Sequence, residues 1–311
     1  MAVNPAVTAG APALRRRRRP TRRSSRQRWT GWGFVGPFLA VFAFVLIVPI
    51  GYAIYLSLYR QQLIGGNSFV GIDNYKTALS DPQFWASLRR VLLFLVVQVP
   101  IMTVLALLAA LALDSARLRW TPLYRLSIFL PYAVPAVVAS LMWGFIYGSQ
   151  FGLVARLRSF FGGHFPDPLS SNWALTGIGN VVTWEFVGYN MLILYSALQA
   201  VPRELYEAAE IDGATQFGII RWIKLPALRV ALVVSLIFSV IGSLQLFNEP
   251  NILNQLAPDA IPKNFTPNMY AYNLSFAGQE YNYSAAIAIV MGIVTVIIAA
   301  AVQWYGRRRA A

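Results

Sequence analysis

The side chains that most often carry catalysis or bind metals are scarce in this sequence. It has no cysteine, and its one histidine, His164, lies in a segment rich in glycine and proline. Disulfides, thiolate chemistry and a histidine-based metal site within the chain are therefore excluded. No Gly-Lys-Ser or Gly-Lys-Thr phosphate-binding loop is present, so any ATP must be hydrolysed by another polypeptide. We expect a protein that is not an enzyme and that holds no metal or cofactor of its own.

Glu185 is the acidic residue that lies well inside an apolar stretch of the sequence. Carboxylates within a membrane usually face protein or water, and they are commonly functional. In an ion-coupled secondary carrier, Glu185 would be the proton site. The alternative is an ion pair near the outer membrane interface, and the sequence leaves both possibilities open.

Most of the chain around these residues is apolar. Hydrophobic residues make up 57% of the 311 positions and charged residues 12%, against about 25% charged in soluble domains. Six apolar runs are long enough to cross a hydrocarbon core of about 30 Å. They are Phe34–Leu58, Val91–Leu113, Leu126–Tyr147, Ile178–Ala200, Leu228–Phe247 and Ala285–Trp304. The sequence therefore predicts an all-α membrane protein with six transmembrane helices, spanning residues 31–311.

Prolines lie inside several of these runs, at Pro49, Pro100, Pro131 and Pro135. Each removes one backbone hydrogen bond and clashes with the preceding turn. A bilayer tolerates this where neighbouring helices or a water-filled cavity satisfy the freed groups. We expect the prolines to interrupt the helices that contain them.

Residues 1–30 form a basic tail, with five consecutive arginines at Arg15–Arg19. Like charges at this density repel, and we expect disorder. No aromatic residue interleaves with these arginines to stack on bases, which argues against a nucleic-acid partner and for contact with lipid headgroups. The other basic residues predicted on the same side are Arg117, Arg119, Arg203, Arg221, Lys224, Arg229 and Arg307–Arg309. The positive-inside rule then places both termini in the cytoplasm.

The longest polar interruption on that side is the loop Pro202–Pro226. Its spacing predicts two short helices joined at Gly213, which permits a positive φ. Leu205, Ala208, Ala209 and Asp212 fall on one face of the first helix, and the second carries an apolar stripe. Such a pair can dock into a partner's groove. It can equally be a connector that lies on the membrane surface.

The same loop resembles the EAA motif of ABC-importer permeases. The matching positions are Glu207, Ala208, Ala209, Asp212, Gly213, Ile223, Leu225 and Pro226. In that family the segment is the coupling helix, which seats in a cleft of the ATP-binding subunit. The segment Trp184–Met191 resembles the fourth span of sugar-type permeases. The segment Leu246–Pro250 is similar to the maltose and glycerol-phosphate importer branch, and within that branch the chain resembles the MalF type of permease.

The resemblance implies a type I ABC importer permease fold with a cytoplasmic coupling helix, in a bacterial inner membrane. It also implies four kinds of partner. They are a second, MalG-type permease, a dimeric ATP-binding subunit that holds Mg-ATP, an extracytoplasmic solute-binding protein and the lipid bilayer. The function implied is translocation of a sugar by alternating access. Two rivals are the ion-coupled carrier and a membrane scaffold whose loop binds a cytosolic partner.

Sugar recognition in such a permease is expected from polar and aromatic side chains that face a cavity between the spans. The candidates in this sequence are Gln98, Trp184, Glu185, Asn190, Tyr195, Gln245, Phe247 and Asn248. Each has a structural alternative, because interhelical hydrogen bonds and aromatic packing also hold membrane bundles together. Fold-level similarity does not select one sugar among many.

Overall fold

The computed structural model describes residues 25–62, 66–115, 118–148, 152–163 and 165–310. Most of the basic tail, as well as Arg117 and His164, lies outside these ranges. The chain divides into two compact units, Met1–Gly51 and Tyr52–Ala311.

The first unit contains the apolar helix that matches the first predicted span. It runs as α1 (Ser25–Phe42), a π-helical turn (Ala43–Ile47) and α2 (Val48–Ser57), which continues into the second unit. The Val48 N–H bonds to the Ala43 carbonyl, five residues back. Because the ring of Pro49 crowds the turn before it, a wider π turn at this point relieves the clash. The proline therefore modifies the helix without ending it.

Three more of the predicted spans, the second, fourth and sixth, are single long helices. They are α4 (Pro82–Leu113), α8 (Ala174–Gln199) and α15 (Tyr281–Ala310). Pro100 lies inside α4, and the helix continues through it. The predicted fifth span begins as α12 (Arg229–Leu244), breaks at Gln245–Phe247 and resumes as α13 (Asn248–Leu253).

The third predicted span is not continuous. Residues 121–133 form α5 (Thr121–Phe129) and a 3₁₀ turn (Leu130–Ala133), and α6 (Ala136–Tyr147) follows at an angle of 97°. Val134 and Pro135 are both extended. A residue before proline avoids the α region, so the spacing of Pro131 and Pro135 ends one helix and starts another. The described residues thus contain five helices able to cross a membrane, and six if this bent pair is one span.

The prediction of an all-α chain misses one hairpin. Strands β1 (Tyr59–Gln62) and β2 (Gly66–Phe69) pair antiparallel, with Tyr59 opposite Phe69. The remaining short helices outside the spans are α3 (Asp73–Ser80), α7 (Leu153–Phe160), α9 (Arg203–Ile211), α10 (Gln216–Ile219), α11 (Leu225–Ala227) and α14 (Pro267–Phe276). A π turn, Ile220–Lys224, lies between α10 and α11.

The core forms where α4, α8, α12 and α15 pack together. Small residues permit close helix contacts, as in other membrane bundles. Gly188 on α8 is one such position, because a Cβ there would overlap the Ile128 carbonyl and the Phe129 Cα. This contact holds the bent pair against α8.

Asp81 joins three helices, α4, α14 and α15. Its Oδ1 accepts a hydrogen bond from the Gln83 N–H (2.8 Å) and caps α4. Its Oδ2 accepts from Tyr270 on α14 (2.6 Å) and from Tyr283 on α15 (2.8 Å). Partial burial opposes ionisation of the carboxyl, but these donated hydrogen bonds outweigh it and hold the pKa of Asp81 below its usual range.

Candidate functional site

A cavity of about 470 Å³ lies between α4, α8 and α12, beside the break in the fifth span. Its walls come from the middle of α4 and α8, the C-terminal half of α12 and the residues that follow α12. The unwound stretch Gln245–Phe247 borders it directly. Irregular backbone at membrane depth is tolerated where it lines a cavity of this kind, and broken helices form substrate sites in many transporters.

Aromatic side chains make up much of the wall. The rings of Tyr132 and Tyr189 stack with centroids 4.9 Å apart and an interplanar angle of 18°. Phe186 meets Tyr132 edge-on at 5.8 Å, and Phe238 meets Tyr189 edge-on at 6.3 Å. Such faces provide large apolar area with phenol groups at the edges, which suits a ligand that has both C–H and O–H surfaces.

Asn190 is a buried polar residue in the wall of the cavity. Its Oδ1 accepts hydrogen bonds from Ser235 (2.5 Å) and Ser239 (3.3 Å) on α12. Its Nδ2 donates to the Phe186 carbonyl (3.0 Å) on its own helix. The amide therefore joins α8 to α12 at the edge of the cavity. Ser239 both donates a hydrogen bond to Asn190 and lines the cavity.

Two buried carboxylates lie next to each other at this site. Glu249 is 6% exposed and lines the cavity, whereas Glu185 is 3% exposed and does not. The two carboxylates interact electrostatically. Neither oxygen of Glu185 has a hydrogen-bond partner among the described residues, so the ion pair considered for it is not formed. Because α8 begins at Ala174 and not at Ile178, Glu185 lies about 17 Å along the helix, near its middle.

The structure brings four of the eight predicted substrate-path residues to this cavity. They are Asn190, Gln245, Phe247 and Asn248. Besides Glu185, three others lie elsewhere. Gln98 is buried and donates to the Gly179 carbonyl (2.9 Å) and to Thr183, which joins α4 to α8. Trp184 packs edge-on against Trp143, and Tyr195 packs under Arg125 in the core. Their assignment to the substrate path stays a prediction.

The lining residues absent from that prediction include Tyr132, Tyr189, Phe238, Ser239, Ser243 and Glu249. Those on α8 could have been found from periodicity. Val182, Phe186, Tyr189 and Asn190 recur at the spacing of one helical face, so the choice of Asn190 also implied its neighbours. Tyr132 could not have been found in this way, because it reaches the cavity only through the bend in the third span.

The Pro202–Pro226 loop folds as a helix, a tight turn and a second helical segment. Gly213 has φ +78°, as its position between the helices predicted. Its N–H bonds to the Glu210 carbonyl, and the Ala214 N–H bonds to the Ala209 carbonyl at 2.9 Å, which ends α9. Thr215 then caps α10 by accepting from the Gly218 N–H at 3.2 Å.

The residues predicted to contact an ATPase fall into two groups in this loop. Glu207, Ala208, Asp212 and Gly213 are exposed, and Ala209 is half-buried behind them. The same loop also exposes large apolar side chains, since Ile211, Phe217 and Trp222 are 86%, 71% and 72% exposed. Ile223, Leu225 and Pro226 are half-buried. Leu225 starts the short α11, Pro226 lies in its first turn, and the spanning helix begins at Arg229.

Comparison with known proteins identifies the class to which this fold and site belong. Residues 102–310 match the family described as binding-protein-dependent transport system inner membrane component, and the chain belongs to that family. It is therefore a multi-pass transport protein of the ABC-importer type, as the motif in the Pro202–Pro226 loop predicted.

Its similarity to individual proteins runs over almost the whole length. It is 33% identical to the lactose transport system permease protein LacF of Rhizobium radiobacter, across 93% of this chain and 98% of that protein. It is 31% identical to the diacetylchitobiose uptake system permease protein NgcF of Streptomyces coelicolor, across 86% and 80%.

The fold also matches a solved structure. That structure is a bacterial alginate ABC transporter in complex with a periplasmic protein bound to alginate pentasaccharide. The TM-score is 0.80 at 20% identity, over 92% of this chain and 96% of that one. The chain thus has the type I importer permease fold, and nothing in these comparisons supports an ion-coupled carrier.

Proposed function

We propose that this chain is one of two permease subunits of an ATP-driven importer that moves an uncharged sugar or oligosaccharide inward. The observation that carries the proposal is the aromatic cavity beside the broken fifth span. Carbohydrates bind through stacking of their apolar faces on aromatic rings together with hydrogen bonds to amides and hydroxyls. Tyr189 and Phe247 supply ring faces, and Gln245, Asn248 and Ser239 supply polar groups.

The charge of the wall favours uncharged over anionic sugars. Among the described lining residues none is lysine, arginine or histidine, and Glu249 is the one acidic side chain. Glu185 adds a second carboxyl just behind it. A carboxylated sugar would find no cationic partner among these lining residues, and burial of an unpaired charge in a low-dielectric site disfavours it. The related LacF and NgcF carry the names of lactose and diacetylchitobiose.

A second permease would complete the cavity. Gln245, Asn248 and Phe238 line it and yet remain exposed, the last at 52%. Exposed aromatic surface next to polar groups is typical of an interaction site. A MalG-type partner placed there would close the wall, and a solute-binding protein would deliver sugar from outside.

The exposed face of the Pro202–Pro226 loop is the proposed ATPase contact. Glu207, Ala208 and Gly213 are exposed there, and the apolar rings of Phe217 and Trp222 lie nearby. With both termini in the cytoplasm, this face points to the side where ATP is available. Closure of a partner ATPase dimer on Mg-ATP would move the loop and favour the outward-open packing of the spans.

Expression of the chain with its partner subunits, followed by affinity purification, tests the proposal. We expect a second six-span chain and an ATPase dimer to be recovered with it. In proteoliposomes supplied with the binding protein, the complex should take up neutral disaccharides and exclude uronic-acid oligosaccharides. Recovery of the chain alone, or preferential uptake of the acidic sugars, would refute the proposal.

A further inference from the structure

A buried ion pair joins the Pro202–Pro226 loop to the end of α4. The Lys224 Nζ lies 2.6 Å from the Asp114 Oδ2, and the two side chains are 10% and 8% exposed. Asp114 is the first residue after α4, and its N–H still bonds to the Ala110 carbonyl. Lys224 was one of the basic residues used to predict the membrane orientation, and the structure places its side chain inside the protein.

The same carboxylate also holds the end of α8. The Gln199 Nε2 donates to the Asp114 Oδ1 at 2.9 Å, and Gln199 is the last residue of that helix. Both oxygens of Asp114 are thus used by different elements. One of them binds the lysine of the loop, and the other binds a span.

Lys224 contacts α9 from its other side. Its ammonium lies 5.3 Å from the centroid of the Tyr206 ring, one residue before Glu207 in the exposed face. The Tyr206 hydroxyl is buried and has no hydrogen-bond partner among the described residues. Burial, and then the negative charge of Asp114, raise the pKa of Tyr206, so the phenol stays neutral beside the lysine.

The π turn Ile220–Lys224 accounts for the inward direction of the lysine. A π turn contains more residues than an α turn, so it shifts which residues share a face. Arg221 and Trp222 are exposed, whereas Lys224, at the end of the same turn, is buried. The result is a chain of contacts from α9 through Tyr206 and Lys224 to Asp114 and Gln199.

Buried ion pairs contribute little net stability compared with apolar residues of similar size, but they specify geometry. We infer that Lys224 is a positioning residue, which makes α9 and the inner ends of α4 and α8 move together when an ATPase displaces the loop. This inference rests on the proposed function, because it needs an ATPase on the exposed face. Without the pair, α9 could tilt while the spans stay in place.

The assembled transporter in proteoliposomes, with its ATPases and binding protein, tests the inference. The variants are Lys224→Met, Asp114→Asn and the exchanged pair Asp114→Lys with Lys224→Asp. Lys76→Met, which breaks an exposed ion pair with Asp73, is the matched control. We expect Lys224→Met and Asp114→Asn to hydrolyse ATP while the sugar moved per ATP falls at least about fivefold. The exchanged pair should regain part of that ratio, and Lys76→Met should keep it.

A wild-type ratio in Lys224→Met and Asp114→Asn would overturn the inference. Loss of ATPase from both purified variants would overturn it as well, because the pair would then serve only assembly. Failure of the wild-type complex to use ATP is a separate result, which would refute the proposed function itself.

Discussion

Asn190 and Ser235 join α8 to α12 by a hydrogen bond of 2.5 Å in the interior of the bundle, next to the cavity. Ser239, one turn further along α12, donates to the same amide oxygen. Asn190 therefore contributes both to the wall of the cavity and to the contact between α8 and α12.

Replacing Asn190 by alanine should weaken the bundle by about 1 kcal/mol, because two serine hydroxyls lose their acceptor where water is scarce. Thermal unfolding of the purified protein in detergent measures this loss. Asn67→Ala in the exposed hairpin is the control and should leave the transition unchanged. Equal midpoints for the two variants would mean that the amide does not hold α8 to α12.

Two tyrosines on α8 allow a test of whether the substrate binds in the cavity. Tyr195 was predicted from the sequence to contact the substrate, and Tyr189 was not. Tyr189 lines the cavity, whereas Tyr195 packs under Arg125 in the core. We expect Tyr189→Ala to raise the sugar concentration needed for half-maximal uptake about tenfold, which corresponds to loss of about 1.4 kcal/mol of stacking. Tyr195→Ala should lower protein stability and leave the sugar concentration for half-maximal uptake nearly unchanged. The opposite pattern would return Tyr195 to the substrate path and remove the cavity from it.

Much of this arrangement follows from local sequence, and the rest does not. The spacing around Gly213 gives the turn of the Pro202–Pro226 loop, because helix faces and a positive φ are local properties. The bend at Pro135 could be predicted only in part, because a proline breaks some membrane helices and not others. The helix α4, for example, continues through Pro100.

Pairings between distant residues could not be predicted. Glu185 and Glu249 lie on different spans, and the sequence singled out Glu185 alone as an acid within a span. Likewise Lys224 carries the positive charge expected on the cytoplasmic side, and nothing local shows that Asp114 will bury it. Such pairs depend on how the helices pack, which hydrophobic periodicity does not determine.

Gly213 provides a test of the loop geometry. Its φ of +78° is unfavourable for other residues, although a Cβ there would meet no atom within 4 Å. Gly213→Ala should therefore cost about 1 kcal/mol through the backbone and no steric clash. This strain would shift the turn and α9 toward other conformations, and ATP-dependent uptake should fall about fivefold while the protein stays in the membrane. Gly218→Ala, in α10, is the control, and equal uptake in both variants would contradict the expectation.

The Asp81 cluster makes the junction of α4, α14 and α15 sensitive to acid. Its pKa is lowered in the folded state, so its stabilising effect is complete above the unfolded value of about 3.9 and is lost as the pH falls through the folded value. The melting temperature of the wild type should drop more steeply below about pH 4 than that of Asp81→Asn. Tyr270→Phe removes one donor and brings the folded pKa of Asp81 closer to its unfolded value, so the drop in melting temperature should become smaller. Parallel curves for wild type and Asp81→Asn would show that the cluster does not contribute.

The most direct test of the central claim is the energy source of transport. Proteoliposomes that contain the complete complex and binding protein are loaded with ATP or with a non-hydrolysable analogue, and the uptake of a labelled neutral disaccharide is followed with and without a proton gradient. We predict uptake that requires hydrolysable ATP, is unaffected by collapse of the gradient and is abolished by Glu207→Lys. Uptake driven by the gradient without ATP would contradict the assignment and would make the Glu185–Glu249 pair the coupling site.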